Sequence, residues 1–197
     1  MEARRRLALV APEVLESADL QNRSTSLLHA TVSAMDDGRA TDAMWSCRAL
    51  FENEVAQDSP QGATGALKLA STVARDHALV TELAQLVELF DAVEDMRRTR
   101  ELVGDLGRAR GIVASHTGDE STAVEAFGVA LAAARSAGDV WMTAEILTDY
   151  GHSLVSFGRA EEAEPLLDEA YELWESMGAN AWLERLAAIR PRAEVPA

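Results

Sequence analysis

A Gly-centred pattern recurs along this chain at a spacing of 40 residues, and it constrains the fold more than any other feature. Gly38-Arg39-Ala40 is followed by Ala43, Gly118-Asp119-Glu120 by Ala123, and Gly158-Arg159-Ala160 by Ala163. Each Gly separates two apolar-periodic stretches, and the small residue five positions later lets two helices touch. A fixed period of roughly 20–50 residues marks an array of helical units, each burying its apolar face against its neighbours.

The breakers divide the chain into helix-length pieces. Asp36-Asp37-Gly38 ends one piece, and Asp58-Ser59-Pro60-Gln61-Gly62 is the strongest loop signal. Gly118, Gly138, Gly158 and Gly178 come next at intervals of 20 residues, each with Asp, Asn or Arg close by. Glycines in this setting read as helix C-caps, so each interval holds one helix of roughly 16–18 residues plus a turn. Within the pieces the period is helical. After Gly158, Ala163, Leu166, Leu167, Ala170, Leu173 and Trp174 recur at three- and four-residue steps, with Glu161, Glu162, Glu164, Asp168, Glu169, Glu172 and Glu175 between them. No period-two segment is sustained. Around Asp76-His77-Ala78 the register asks for a turn but supplies no Gly; Gly62 to Arg75 and Ala78 to Met96 still read as two helices.

The expected fold is therefore all-α: a right-handed α-solenoid of about four helix-turn-helix repeats with a period of ~40 residues. The whole chain, 1–197, reads as one domain, with repeats near 19–57, 60–97, 99–137 and 139–178 and a capping helix at 180–190.

Charge and cysteine usage narrow the function. The formal net charge is −15. Such a chain is repelled by phosphate backbones, which argues against direct nucleic-acid binding and favours a basic protein or peptide partner. Cys47 is the single cysteine, so no disulfide framework is available and a reducing, cytoplasmic setting is expected. No run of apolar residues approaches the length of a membrane span. Arg4-Arg5-Arg6 reads as a solvated helix start against the acidic background. One Lys (Lys68) among 18 basic residues, with abundant Ala, Val and Gly, points to a GC-rich bacterial genome.

The pattern resembles tetratricopeptide-type repeats. Gly111, Gly118, Ala123 and Ala130 match the family's small positions, as do Gly151, Gly158, Ala163 and Ala170, with Phe127 and Leu167 at the bulky position expected to fill the gap between helix pairs. The first repeat keeps Gly38 and Ala43 but carries Thr31 and Leu50 at the other two sites. The match is strongest over 99–178, and the period exceeds the common 34 residues by about one helical turn's worth of residues in each helix. The closing stretch from Gly158 to Leu186 is similar to the repeat region near the C-terminus of large actinobacterial ATP-dependent transcriptional regulators. On that resemblance the chain is a fragment or a stand-alone relative, since no phosphate-binding loop or DNA-binding helix-turn-helix accompanies the repeats.

The resemblance implies a non-catalytic protein- or peptide-binding scaffold in a bacterial regulatory pathway. The alternatives are a ligand- or peptide-sensing domain of a transcriptional regulator and a self-association module. In the family the first helix of each pair lines a groove. Carried over, the groove positions include Asp105, Arg108, Ile112 and His116 on one helix and Glu145, Thr148, His152 and Ser156 on another. Trp182, Leu183 and Leu186 on the last helix form a candidate homodimer surface. Trp45 and Trp174 fall on second helices, where large apolar side chains are expected between repeats. His29, His77, His116 and His152 are scattered, with His116 placed to meet carbonyls at a helix end. The chain contains none of the motifs G-x-S-x-G, H-E-x-x-H or C-x-x-C. It is expected to be no enzyme, with no cofactor and no metal.

Overall fold

The glycines that punctuate the sequence do so by adopting the left-handed backbone conformation. Gly38, Gly118, Gly138, Gly158 and Gly178 have φ between 66° and 78°. In each turn the next residue's N–H reaches back to a carbonyl of the helix just ended: Arg39 to Ala34 (2.7 Å), Asp119 to Ala114 (2.9 Å), Asp139 to Ala134 (3.2 Å), Arg159 to Leu154 (2.8 Å) and Ala179 to Trp174 (3.0 Å). This pairing satisfies carbonyls that a helix end otherwise leaves orphaned. Ala78 does the same without being Gly. Its φ is 56°, and Leu79 N–H reaches Ala74 carbonyl at 3.1 Å. The turn that the sequence leaves unmarked thus has the geometry of the marked ones.

The computed structural model describes residues 20–56, 60–92 and 99–189. Arg4-Arg5-Arg6, Asp58-Ser59 and the expected helical residues 93–96 lie outside them. Among the described residues there are nine α-helices and no strand: α1 Leu20–Asp36, α2 Ala40–Ala56, α3 Pro60–His77, α4 Val80–Ala92, α5 Arg100–Thr117, α6 Glu120–Ala137, α7 Val140–Ser156, α8 Ala160–Ser176 and α9 Asn180–Ile189. None is long and apolar enough to cross a membrane. Among the described residues three N-termini are capped by side chains, α5 by Thr99, whose hydroxyl accepts from Leu102 N–H (3.2 Å), and α6 and α7 by aspartates. Asp119 accepts from Thr122 N–H (3.1 Å) and Asp139 from Met142 N–H (2.9 Å). The Thr122 hydroxyl also donates to Asp119 at 2.7 Å. The hydroxyl first and the N–H second hold the Asp119 carboxyl below its ordinary range.

The chain divides into two compact units, Met1–Asp105 and Leu106–Ala197. In the first, α1 packs on α2, α2 on α3 and α3 on α4, with α1 also meeting α3 and α2 meeting α4. Leu27, Ala34, Ala43, Cys47, Leu67 and Leu83 are buried, and the Phe51 and Phe90 rings lie 4.3 Å apart. A polar cluster pins α1 to α2. The Ser24 hydroxyl donates to Glu54, and Asn53 Nδ2 donates to Ser24 Oγ at 2.8 Å. Cys47 is a core residue whose thiol burial pushes up to about 12, a shift the Thr31 hydrogen bond opposes.

In the second unit, α6 packs on α7, α7 on α8, and α9 on both α8 and α7. Close approach is made by glycines. A Cβ on Gly111 would stand 2.8 Å from the Phe127 ring, and one on Gly151 would overlap the Leu167 side chain. This places the bulky residues differently from the sequence reading. Phe127 and Leu167 press on the glycine of the preceding helix, inside a helix pair, rather than only filling gaps between pairs. Phe127 does both, since its ring also stacks on Tyr150 of α7 at 5.3 Å.

Candidate functional site

Five of the eight residues assigned to a groove by resemblance are buried: Asp105, Arg108, Ile112, Glu145 and Thr148. Only His116, His152 and Ser156, near the C-terminal ends of α5 and α7, are exposed. Within the second unit the reason is electrostatic. Arg108 Nε donates to Asp149 Oδ2 at 2.7 Å, and Arg108 Nη1 lies 3.3 Å from Glu145 Oε2. One cation between two carboxylates lets three charged groups leave water together, which none could do alone. Further along, the Ser115 hydroxyl donates to Ser153 Oγ at 2.7 Å. Thr148 donates to the Ala144 carbonyl and accepts from Trp174 Nε1 at 3.0 Å. The middle of these two helices is therefore a packed polar seam rather than an open lining. It is occupied by its own partners.

Trp174 and Trp182 of the last helices are packed on one another. Trp174 is fully buried, stacks on Trp182 at 4.5 Å and 9°, and meets Trp141 edge-on at 5.0 Å. Arg185 lies over the Trp182 ring at 5.6 Å. Of the expected self-association residues, Leu186 is buried, while Trp182 and Leu183 are half-buried. Leu186 thus faces the helices of its own unit and leaves at most part of that patch at the surface.

His116 makes no hydrogen bond to a helix-end carbonyl among the described residues, and there no group of three or more His, Cys, Asp or Glu side chains is placed to hold a metal ion. Arg159 is a cation nearer the surface with two carboxylate partners. Arg159 donates to Glu162 and to Glu120 (2.7 Å), and these two hydrogen bonds raise its pKa, Glu162 contributing more.

Among the described residues the most exposed large apolar side chain is one that the sequence places elsewhere. Trp45, expected between repeats, is 52% exposed. It stands at a pocket of about 220 Å³ between α2 and α4, lined also by Met44, Leu79 and Leu86, with Thr41, Arg48, Glu82 and Gln85 around them. That volume exceeds the roughly 150 Å³ known to hold a benzene-sized molecule in a protein interior. The signal was present in the helical period. Ala43, Cys47, Leu50 and Phe51 form the buried face of α2, whereas Trp45 shares steps of three and four with Thr41, Arg48 and Glu52, the outer face.

No known family's sequence profile matches the chain, and no curated protein matches it.

Proposed function

We propose that this chain is a non-catalytic helical scaffold that binds a protein or peptide, and that the docking face is the one around Trp45. The observation that carries the reading is the half-exposed indole beside an apolar pocket with charged residues at its edge. Soluble chains seldom leave a large aromatic at such a place without a use for it, and tryptophans in pockets dominate the energetics of protein interfaces. The expected docking mode is an amphipathic helix or a single large apolar side chain entering the pocket. The proposal includes the finer architecture that the repeat implies, a right-handed α-solenoid of tetratricopeptide-like pairs. It also includes a bacterial regulatory setting, which like the architecture rests on the sequence resemblance, and a cytoplasmic location, which rests on the single cysteine.

The test is affinity capture from native lysate with wild type beside Trp45→Ala. Trp45 is largely outside the core, so the variant is expected to keep the wild-type helical circular dichroism. A protein held by wild type and lost by the variant supports the reading. Equal recovery by both removes Trp45 from it.

A further inference from the structure

We infer that the occupant of the Trp45 face is a second copy of this chain, docked about a two-fold axis; the inference deepens the reading above and rests on it. A two-fold interface must be self-complementary, because whatever residue i meets in the partner, the partner's residue i meets in return. The face has the components in matched pairs. Trp45 is a half-exposed apolar group at the edge of the pocket, and the hollow bounded by Met44, Leu79 and Leu86 is the complementary recess on the same surface. Arg48 on α2 and Glu82 on α4 supply one cation and one carboxylate at the same pocket. In a two-fold pairing, the indole of each copy enters the recess of the other, and each Arg48 meets the partner's Glu82.

The charges allow this despite the acidity of the whole chain. Arg48 and Glu82 are opposite charges at the pocket, with Glu52 beside Arg48 as the nearest further charge, and charges more than about 8 Å away are largely screened at physiological ionic strength. In the single chain Arg48 Nε donates to Glu52 Oε1 at 3.1 Å, an exposed pairing four residues along the helix. Such a pair is worth only a few tenths of a kcal/mol. It uses one edge of the guanidinium, and its terminal nitrogens make no hydrogen bond among the described residues. Arg48 can therefore hold Glu52 and reach a second carboxylate. Glu82 forms no ion pair among the described residues.

The test uses the full chain and sedimentation velocity across a concentration series. Wild type is expected to be a reversible dimer at micromolar concentration, and Trp45→Ala a monomer with wild-type circular dichroism. Arg48→Glu and Glu82→Arg each place like charges opposite one another twice per dimer. Each alone is expected to weaken the dimer by at least about tenfold. Mixed in equal amounts they restore dimerisation, because the mixed pair has opposite charges at both contacts. A two-fold arrangement predicts that the rescue stops at a closed dimer, where a head-to-tail contact would add further copies. A monomeric wild type overturns the inference, as does a dimer indifferent to Trp45→Ala or a mixture that stays monomeric. A monomeric wild type that still captures another protein through Trp45 overturns the second copy while leaving the scaffold reading intact. Monomers whose capture ignores Trp45 remove both.

Discussion

Arg108 Nε reaches Asp149 Oδ2 across 2.7 Å, and almost none of either side chain touches solvent. Glu145 completes the cluster from one turn earlier on the same helix. Removing the cation leaves two carboxylates facing each other out of water. Arg108→Met is therefore expected to lower stability by about 3–5 kcal/mol, read as the urea unfolding midpoint. Replacing all three, Arg108→Met with Glu145→Leu and Asp149→Leu, should recover most of that loss, since the cation and both carboxylates it pairs with leave together. A triple variant no more stable than the single one would show that the ion pairs themselves, not the orphaned charges, carry the energy.

Ala78 occupies a conformation that costs an L-residue about 1–2 kcal/mol. Its side chain is exposed, so no packing is lost with the methyl. Ala78→Gly is expected to stabilise the first unit by ~0.5–1 kcal/mol, because relief of backbone strain outweighs the greater freedom of glycine when unfolded. The matching control is Gly118→Ala, which imposes the same strain at φ 78° and should destabilise by a similar amount. Both are read by denaturant unfolding.

Gly107 lies inside α5, where helix propensity alone favours alanine by about 0.8–1 kcal/mol. Yet a Cβ there would stand 2.9 Å from the Ala126 carbonyl oxygen and 3.0 Å from the Ala130 methyl, neither of which can swing aside. Gly107→Ala is expected to lose ~1–3 kcal/mol net. Gly65 has open space where its Cβ would go, so Gly65→Ala should gain stability instead. Opposite signs for the two substitutions in thermal unfolding are the outcome to look for.

Burial raises the Cys47 thiol from its ordinary 9.0 to about 12. The folded chain keeps the thiol neutral where the unfolded chain ionises it. The stability tied to that proton is complete below pH 9 and declines as pH rises from about 9 towards about 12, by up to about 1.4 kcal/mol per pH unit. Cys47→Ala removes this contribution, so the difference between the two proteins' urea midpoints should shrink across that window. The native thiol should also resist a thiol-specific reagent near neutral pH and react once urea unfolds the chain.

The helices were legible because their punctuation is chemical. Gly38, Gly118, Gly138, Gly158 and Gly178 can enter the left-handed turn without a Cβ penalty, and Asp119 and Asp139 cap α6 and α7. The Ala78 turn was legible only by register, since a strained alanine leaves no compositional trace. The candidate site was less readable. Charged residues on the inner positions of α5 and α7 suggest solvent, because single charges seldom leave it. Opposite charges on two different helices are what make Arg108, Glu145 and Asp149 buriable, and Arg108 and Asp149 are 41 residues apart in sequence. Trp45 shows the reverse. Its place on the outer face of α2 agrees with the helical period, but a tryptophan's usual preference for the interior points the other way.

The polar seam between α5 and α7 has a mechanical consequence. Two helices packed by aliphatic side chains alone can slide along one another in small steps, since one methyl replaces another. Here a slip of one turn, about 5.4 Å, would leave Arg108 at most one of its two carboxylates and carry Ser115 off Ser153 at once. No intermediate offset satisfies them. The pair therefore behaves as a keyed joint rather than a sliding one: it resists graded shear, and a force large enough to move it would disengage it altogether.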